Sequence, residues 1–175
     1  MDTGQFERAL AEHQRMVFSI ALHTLRDRAL AEEITQDVFV ALLEHGGEMA
    51  SREHLLHWLR RVTSRRCIDQ LRRQHWRRWL ALSDYEATAD TAAAPRGDPM
   101  LAARLAPLLR ALPASERVAL VLRYQEDLDP GEIGRLLGLP EKTVKNKLRH
   151  ALAQLKLRLE HPAPAEGARV HLEQP

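Results

Sequence analysis

The sequence predicts an all-α protein of two small helical domains joined by a flexible linker. Three observations carry this. Apolar residues recur at three- and four-residue steps through both halves of the chain. No stretch alternates as a strand would, and residues 83–99 lose all periodicity and turn to Asp, Ala, Thr, Gly and Pro. The domains are therefore placed at residues 1–82 and 100–160, with an acidic linker at 83–99 and a tail at 161–175.

The first helix is read from Phe6, Leu10, Val17, Ile20, Ala21 and Leu25, one apolar stripe. A polar break at Asp27-Arg28 precedes a second helix carrying Ala31, Ile34, Val38, Ala41 and Leu42, which Gly46-Gly47 ends. Ser51 is placed as the N-cap of a third, through Leu55, Trp58, Leu59, Val62, Ile68 and Leu71. Trp58 falls on that apolar stripe and is assigned to the core, whereas Trp76 and Trp79 could meet either the first helix or a ligand. Periodicity resumes at Leu101, Leu105, Leu108, Leu109 and Leu112. At roughly 80 and 60 residues, each domain sits near the lower limit for a self-sufficient core.

Charge is distributed unevenly. The formal net charge is only +2, yet the first fifty residues are acidic. Residues 60–79 set Arg60, Arg61, Arg65, Arg66, Arg72, Arg73, Arg77 and Arg78 against the single acid Asp69, a local excess that attracts a polyanion. A second basic stretch is Lys142, Lys145, Lys147, Arg149, Lys156 and Arg158.

Several classes are set aside. One cysteine, Cys67, excludes an internal disulfide and a thiolate zinc cluster within one chain, and predicts a small buried residue. His54 and His57 have one-turn spacing but lack an identifiable third ligand, so no metal or other cofactor is predicted. There is no basic-then-apolar leader and no apolar run of membrane-spanning length, so a cytoplasmic protein without membrane insertion is expected. No phosphate-cradling glycine loop or nucleophile motif is present, so no enzyme is expected.

The most specific pattern lies near the end. Asp129-Pro130 is an N-cap with proline at the first helical position, followed by Ile133, Leu136 and Leu137; Gly138 closes that helix. Leu139-Pro140 opens another, with Val144, Leu148, Ala151, Leu152 and Leu155 inside and Lys142, Thr143, Lys145, Asn146 and Arg149 outside. Helix, glycine turn and basic helix fit a helix-turn-helix, whose outer face would supply phosphate and base-edge contacts. A helical hairpin with solvated lysines fits the same spacing.

Leu112-Pro113-Ala114-Ser115-Glu116-Arg117, Leu122-Arg123-Tyr124, and Glu132-Ile133 through Gly138-Leu139-Pro140 to Thr143-Val144-Lys145 resemble the fourth region of extracytoplasmic-function sigma factors, in the sigma-70 family. Ala31-Glu32-Glu33-Ile34-Thr35-Gln36-Asp37-Val38-Phe39 is similar to that family's second-region motif, and Trp58-Leu59-Arg60-Arg61-Val62 with Asp69, Leu71, Arg72 and Arg73 resembles its minus-ten helix. The resemblance implies a promoter-directing factor whose Lys142, Thr143, Lys145, Asn146 and Arg149 meet the minus-thirty-five element. It implies Arg60, Arg61, Arg65, Arg66, Arg72 and Arg73 for the minus-ten element, with a base pocket in the loop from Gly46 to Glu53. Glu32, Glu33, Gln36, Asp37 and Phe39 would bind the clamp helices of the polymerase's β′ subunit. Core RNA polymerase, including its β flap, promoter DNA and an anti-sigma protein are the implied partners. A stand-alone helix-turn-helix regulator is the competing reading. The linker's composition predicts that the domains change relative position, so a compact free form would reflect interdomain contacts or a bound inhibitor.

Overall fold

The computed structural model describes residues 2–45, 51–80 and 99–161. The linker but for Pro99, Gly46-Gly47 and the tail after His161 lie outside the described residues. Within them the chain is helical throughout: α1 (Thr3–Leu25), α2 (Arg28–His45), α3 (Arg52–Leu80), α4 (Pro99–Ala111), α5 (Ala114–Tyr124), α6 (Pro130–Leu137) and α7 (Glu141–Glu160).

Caps set the boundaries. Asp2 starts α1 with a capping box, its Oδ1 accepting from the Gln5 amide at 2.7 Å while its own amide donates to Gln5 Oε1 at 3.2 Å. Arg26, at φ 58°, ends α1 in the left-handed region and its amide donates to the Leu22 carbonyl. The break therefore falls at Arg26-Asp27, one residue before the expected Asp27-Arg28. The reason is that Asp27 is itself a cap, its Oδ1 accepting from the Leu30 amide at 3.0 Å. Ser51 caps α3 as expected, with Oγ accepting from the His54 amide at 3.1 Å.

Helices α1, α2 and α3 enclose Val17, Ile20, Ala21, Ala31, Val38, Leu42, Leu59 and Cys67, all fully buried. In the C-terminal half, α5 is the central element and packs on α6 and α7 as well as on α1 and α3. Every residue from Glu116 to Leu122 is buried, which is the condition of a helix covered on all sides. Consequently the buried apolar residues of both halves belong to one cluster. Two domains, each near the lower size limit for a core, share theirs across α5.

Arg117 fastens this junction. It is 6% exposed, and its guanidinium donates to the Thr24 carbonyl at the end of α1, at 3.1 Å, and to the Arg110 and Leu112 carbonyls at the end of α4. The last carbonyls of a helix lack intrahelical donors, and a cation there also meets the negative end of the helix dipole.

Burial, the leading cause in each case, holds the imidazoles of His13, His23 and His57 below their usual 6.5; nearby arginines reinforce it, while Glu12 opposes it at His13. The folded chain thus refuses protons that the unfolded chain takes up below that value. This stabilising contribution is complete above 6.5 and is lost as the pH falls through the lowered values. The melting temperature should drop between pH 7.5 and 5.5, and a His23→Gln variant should drop less; equal slopes would remove His23 as a contributor.

Candidate nucleic-acid interface

The turn between α6 and α7 is built as its sequence dictates. Asp129 and Glu132 form a reciprocal capping box, Oδ1 accepting from the Glu132 amide at 2.8 Å and Glu132 Oε2 from the Asp129 amide at 2.7 Å. Gly138 takes φ 68°, and the Gly134 carbonyl accepts from both the Gly138 and Leu139 amides. Gly134 permits a close approach: a Cβ there would lie 2.6 Å from the Leu139 carbonyl oxygen. Sequence reasoning passed over Gly134, because an α-helical glycine carries no local signal that a turn folds back onto it.

Val144, Leu148 and Ala151 bury one face of α7. Its roll is fixed by Lys147, whose Nζ donates to Ser115 Oγ at 2.9 Å, and by His150, whose Nδ1 lies 3.0 Å from Glu116 Oε2. Both partners are on α5. This leaves Lys142, Lys145, Asn146 and Arg149 exposed on the opposite side, with Thr143 half-buried at its margin. Lys145 pairs with Glu141 at 2.6 Å and Arg149 donates to Asn146 Oδ1 at 3.3 Å. Such exposed pairs are worth about 0.3–0.5 kcal/mol, so a phosphate can replace them at little cost.

The arginines of α3 divide into two groups. The helical period puts Arg65, Asp69, Arg72 and Trp76 along one side, all exposed, the Trp76 indole to 59%. Arg73 and Arg77 are exposed beside them, while Arg61 is half-buried with its Nε shut from solvent. A basic track with an outward aromatic ring is the composition that binds single-stranded nucleic acid. Trp58 is half-buried against the core. The side chains of Arg78 and Trp79 and residues 46–50 of the expected base pocket lie outside the described residues.

Arg60 and Arg66 do not join that track. Arg66 Nη1 is 2.8 Å from Asp37 Oδ2, so a candidate DNA contact and a candidate polymerase contact hold each other. Arg60 is a correction to the expectation. Its Nε and Nη2 both donate to Glu126 Oε2, at 3.0 and 2.8 Å, with side-chain exposures of only 20% and 9%. The helical period turns position 60 away from position 65, toward the C-terminal half. Burial pushes the Glu126 carboxyl above its usual range, while the hydrogen bond and charge of Arg60 pull it back.

On α2, Glu32, Glu33, Gln36 and Asp37 are exposed, Glu32 pairing with Arg28 at 2.9 Å. Phe39 is not on this face. It is 4% exposed and meets Phe6 edge-on at 6.4 Å, so it is a core residue. Val40 and Leu43, at 52% and 54%, extend the acidic row with apolar surface instead. The run from Val38 to Leu43 held the signal: six consecutive apolar residues exceed what one side of a helix can bury.

Cys67 is fully buried, and burial pushes its thiol up to about 12. Relative to an unperturbed thiol at 9.0, its thiolate population near neutral pH falls by about a thousandfold. Reaction of the folded protein with a disulfide reagent at pH 8 should be slower than that of free cysteine by roughly that factor or more. A rate near that of free thiol would place Cys67 at the surface. Among the described residues no group of three His, Cys, Asp or Glu side chains could hold a metal ion, and no helix is long and apolar enough to cross a membrane.

Comparison with known proteins agrees with this arrangement. The family described as sigma-70 region 2 matches residues 9–77, and sigma-70 region 4 matches residues 103–155. The chain is 27% identical to the ECF RNA polymerase sigma factor SigM of Mycobacterium tuberculosis, covering 88% of this chain and 76% of that one. It is 29% identical to the RNA polymerase sigma factor CarQ of Myxococcus xanthus, covering 87% and 91%. Among solved structures, the sigma factor RpoE in complex with the anti-sigma factor NepR from Bartonella quintana superposes with a TM-score of 0.69 at 17% identity, over 91% of this chain and 99% of that one. Both family regions occur in order on the two helical domains, and relatives match along most of the chain: the protein belongs to the sigma-70 family as an extracytoplasmic-function sigma factor.

Proposed function

We propose that this sigma factor engages promoter and polymerase through three surfaces. The outer face of α7, Lys142, Thr143, Lys145, Asn146 and Arg149, reads the minus-thirty-five element. The α3 track, Arg61, Arg65, Arg72 and Arg73 with Trp76, holds the minus-ten strand; Arg66 joins it once released from Asp37. Glu32, Glu33, Gln36 and Asp37, extended by Val40 and Leu43, dock on the β′ clamp helices. The domains take the limits 1–82 and 100–160, joined by the acidic segment between them. The factor does no chemistry itself, works in the cytoplasm beside its polymerase, contacts the β flap and is restrained by an anti-sigma protein.

The observation that carries this reading is the pinned roll of α7. Ser115 and Glu116 hold its inner side chains, so four polar side chains with DNA-binding chemistry face solvent together on the second helix of a capped helix-turn-helix. Asn can bond adenine edges, and Lys and Arg can serve guanine or phosphate.

The deciding experiment is promoter-specific transcription by core RNA polymerase with and without this protein. Initiation only with both is expected; specific DNA binding without stimulated initiation would return the reading to a stand-alone regulator. Replacing Lys145 and Asn146 together by Ala should weaken upstream-element recognition by about 10-fold or more, since each good base contact is worth about 1–3 kcal/mol. Unchanged promoter choice would remove both from the reading face.

A further inference from the structure

We propose that His150 is a proton-dependent phosphate contact at the edge of the α7 reading face, made so by Glu116, which fixes the ring nitrogen that carries the hydrogen. Binding of the minus-thirty-five element then tightens as the pH falls. This deepens the function proposed above and rests on it.

His150 follows Asn146 by four residues and Thr143 by seven, so helical phase puts it along the edge of the face those residues share. Its Nδ1 lies 3.1 and 3.0 Å from the two oxygens of Glu116. That carboxylate belongs to α5 and its side chain is 10% exposed, whereas the imidazole is 57% exposed. One ring nitrogen is therefore committed to the interior, and the rest of the ring meets solvent on the side of Asn146.

Tautomer chemistry decides what the outer nitrogen can do. A carboxylate accepts hydrogen bonds and donates none, so the hydrogen of a neutral ring sits on Nδ1 and Nε2 keeps its lone pair. Phosphate oxygens are acceptors too. A neutral His150 thus turns the wrong kind of group toward a DNA backbone, with the buried charge of Glu116 behind it adding repulsion. A proton taken from solvent onto Nε2 reverses both effects: the nitrogen becomes a charged donor, and the ring balances Glu116. The bond from Nδ1 to Glu116 is kept throughout, so only the outward group changes. Imidazole is the side chain whose charge changes between pH 5 and 8, and a phosphate that favours the imidazolium is by linkage favoured by it.

The groups around the ring leave this role to Glu116. On α5 the next residue, Arg117, is turned toward Thr24 of α1. From α4, Leu108, Ala111 and Leu112 line the groove that His150 borders, while Arg104 reaches the Leu159 carbonyl. Of the charged residues of α6, Glu132 is in the cap with Asp129 and Arg135 lies near His57 of α3. On α7 itself Lys147 is turned to Ser115, Arg149 bonds Asn146, and Arg158 lines the groove two turns on. Arg149 and Arg158 thus flank the ring with positive charge, which draws a phosphate toward the same edge.

The test uses holoenzyme reconstituted from core RNA polymerase and the full chain, with a promoter duplex that it selects at pH 7 from a pool randomised through the upstream element. Affinity is measured at pH 8 and pH 6 over a range of salt, with helical content checked at both. Tightening of the parent toward pH 6 should exceed that of His150→Gln by about tenfold, within the roughly hundredfold that uptake of one proton over two pH units allows. The parent's slope of log affinity against log salt should be steeper at pH 6 by about 0.9, the contribution of one phosphate, and that of His150→Gln should not change. His150→Arg should bind at pH 8 as tightly as the parent does at pH 6. Glu116→Gln should lose the pH response, because its amide can donate to Nδ1 and lets a neutral ring carry its hydrogen on Nε2. His13, His23 and His57 are kept in every variant, so the differences belong to position 150 and its partner. Equal pH and salt responses in the parent and His150→Gln overturn the contact, and a parental pH response in Glu116→Gln overturns the control by the tautomer. If no duplex is selected at all, the promoter reading fails and the contact falls with it; selection followed by equal responses overturns the contact and leaves that reading standing.

Discussion

Arg117→Ala should lower the stability of the free protein by about 3–5 kcal/mol, the loss expected when several buried carbonyls lose their shared donor. The guanidinium donates to carbonyls at the ends of two helices, Thr24 of α1 and Arg110 beside Leu112 after α4. Each acceptor left dry costs about 1–3 kcal/mol. For a chain of this size each kcal/mol is worth about 2–4 °C, so the melting temperature should fall by roughly 10 °C. Arg117→Lys should recover little, because a single ammonium cannot span both helix ends as the planar fork does. Urea denaturation of the three proteins measures this directly, and a loss under about 1 kcal/mol for the Ala variant would show that water substitutes for the guanidinium.

The second large effect is expected at Gly134. An added methyl would sit 2.6 Å from the Leu139 carbonyl oxygen, and that atom is backbone, so α6 and the turn into α7 must move apart. Overpacking of this kind costs about 1–3 kcal/mol, against which alanine's helix propensity returns up to about 1 kcal/mol. Because the displaced element carries Lys145 and Asn146, upstream-element binding should fall with stability. Gly138→Ala is the control. That position has φ 68° and open space around it, so only the left-handed backbone penalty of about 1–2 kcal/mol applies, without a clash. Greater loss of DNA binding in Gly134→Ala than in Gly138→Ala is the expected order. The reverse order would mean that the close approach relaxes freely.

These two residues also show where reading the sequence succeeds and stops. Gly138 was legible because a left-handed turn after a capped apolar helix has a local cause. Gly134 was not, because its constraint comes from a carbonyl five residues on, brought back by the fold. Likewise the exposed polar set on α7 was legible from helical phase, although of the expected inner stripe Val144, Leu148, Ala151, Leu152 and Leu155 only the first three are buried and Leu152 is 43% exposed. On α2 phase was insufficient. Six apolar residues in a row offered two possible inner faces, and only the meeting of Phe39 with Phe6 decided that Phe39 is core and Val40 and Leu43 are surface.

By itself, the sequence determined most of the helices, the caps at Ser51 and Asp129, the helix-turn-helix and the family to which the chain belongs, because each rests on residues within a few turns of one another; the cap at Asp2 and the helix α5 emerged only in the structure. The tertiary structure alone decided that α5 is buried on every side, that Arg117 serves two helix ends and that Arg60 faces Glu126 instead of the open basic track. Those are pairings between residues far apart in the chain. Helical phase fixes which side chains share a face, but which neighbour that face meets depends on how the seven helices of the described residues divide too little apolar surface among them.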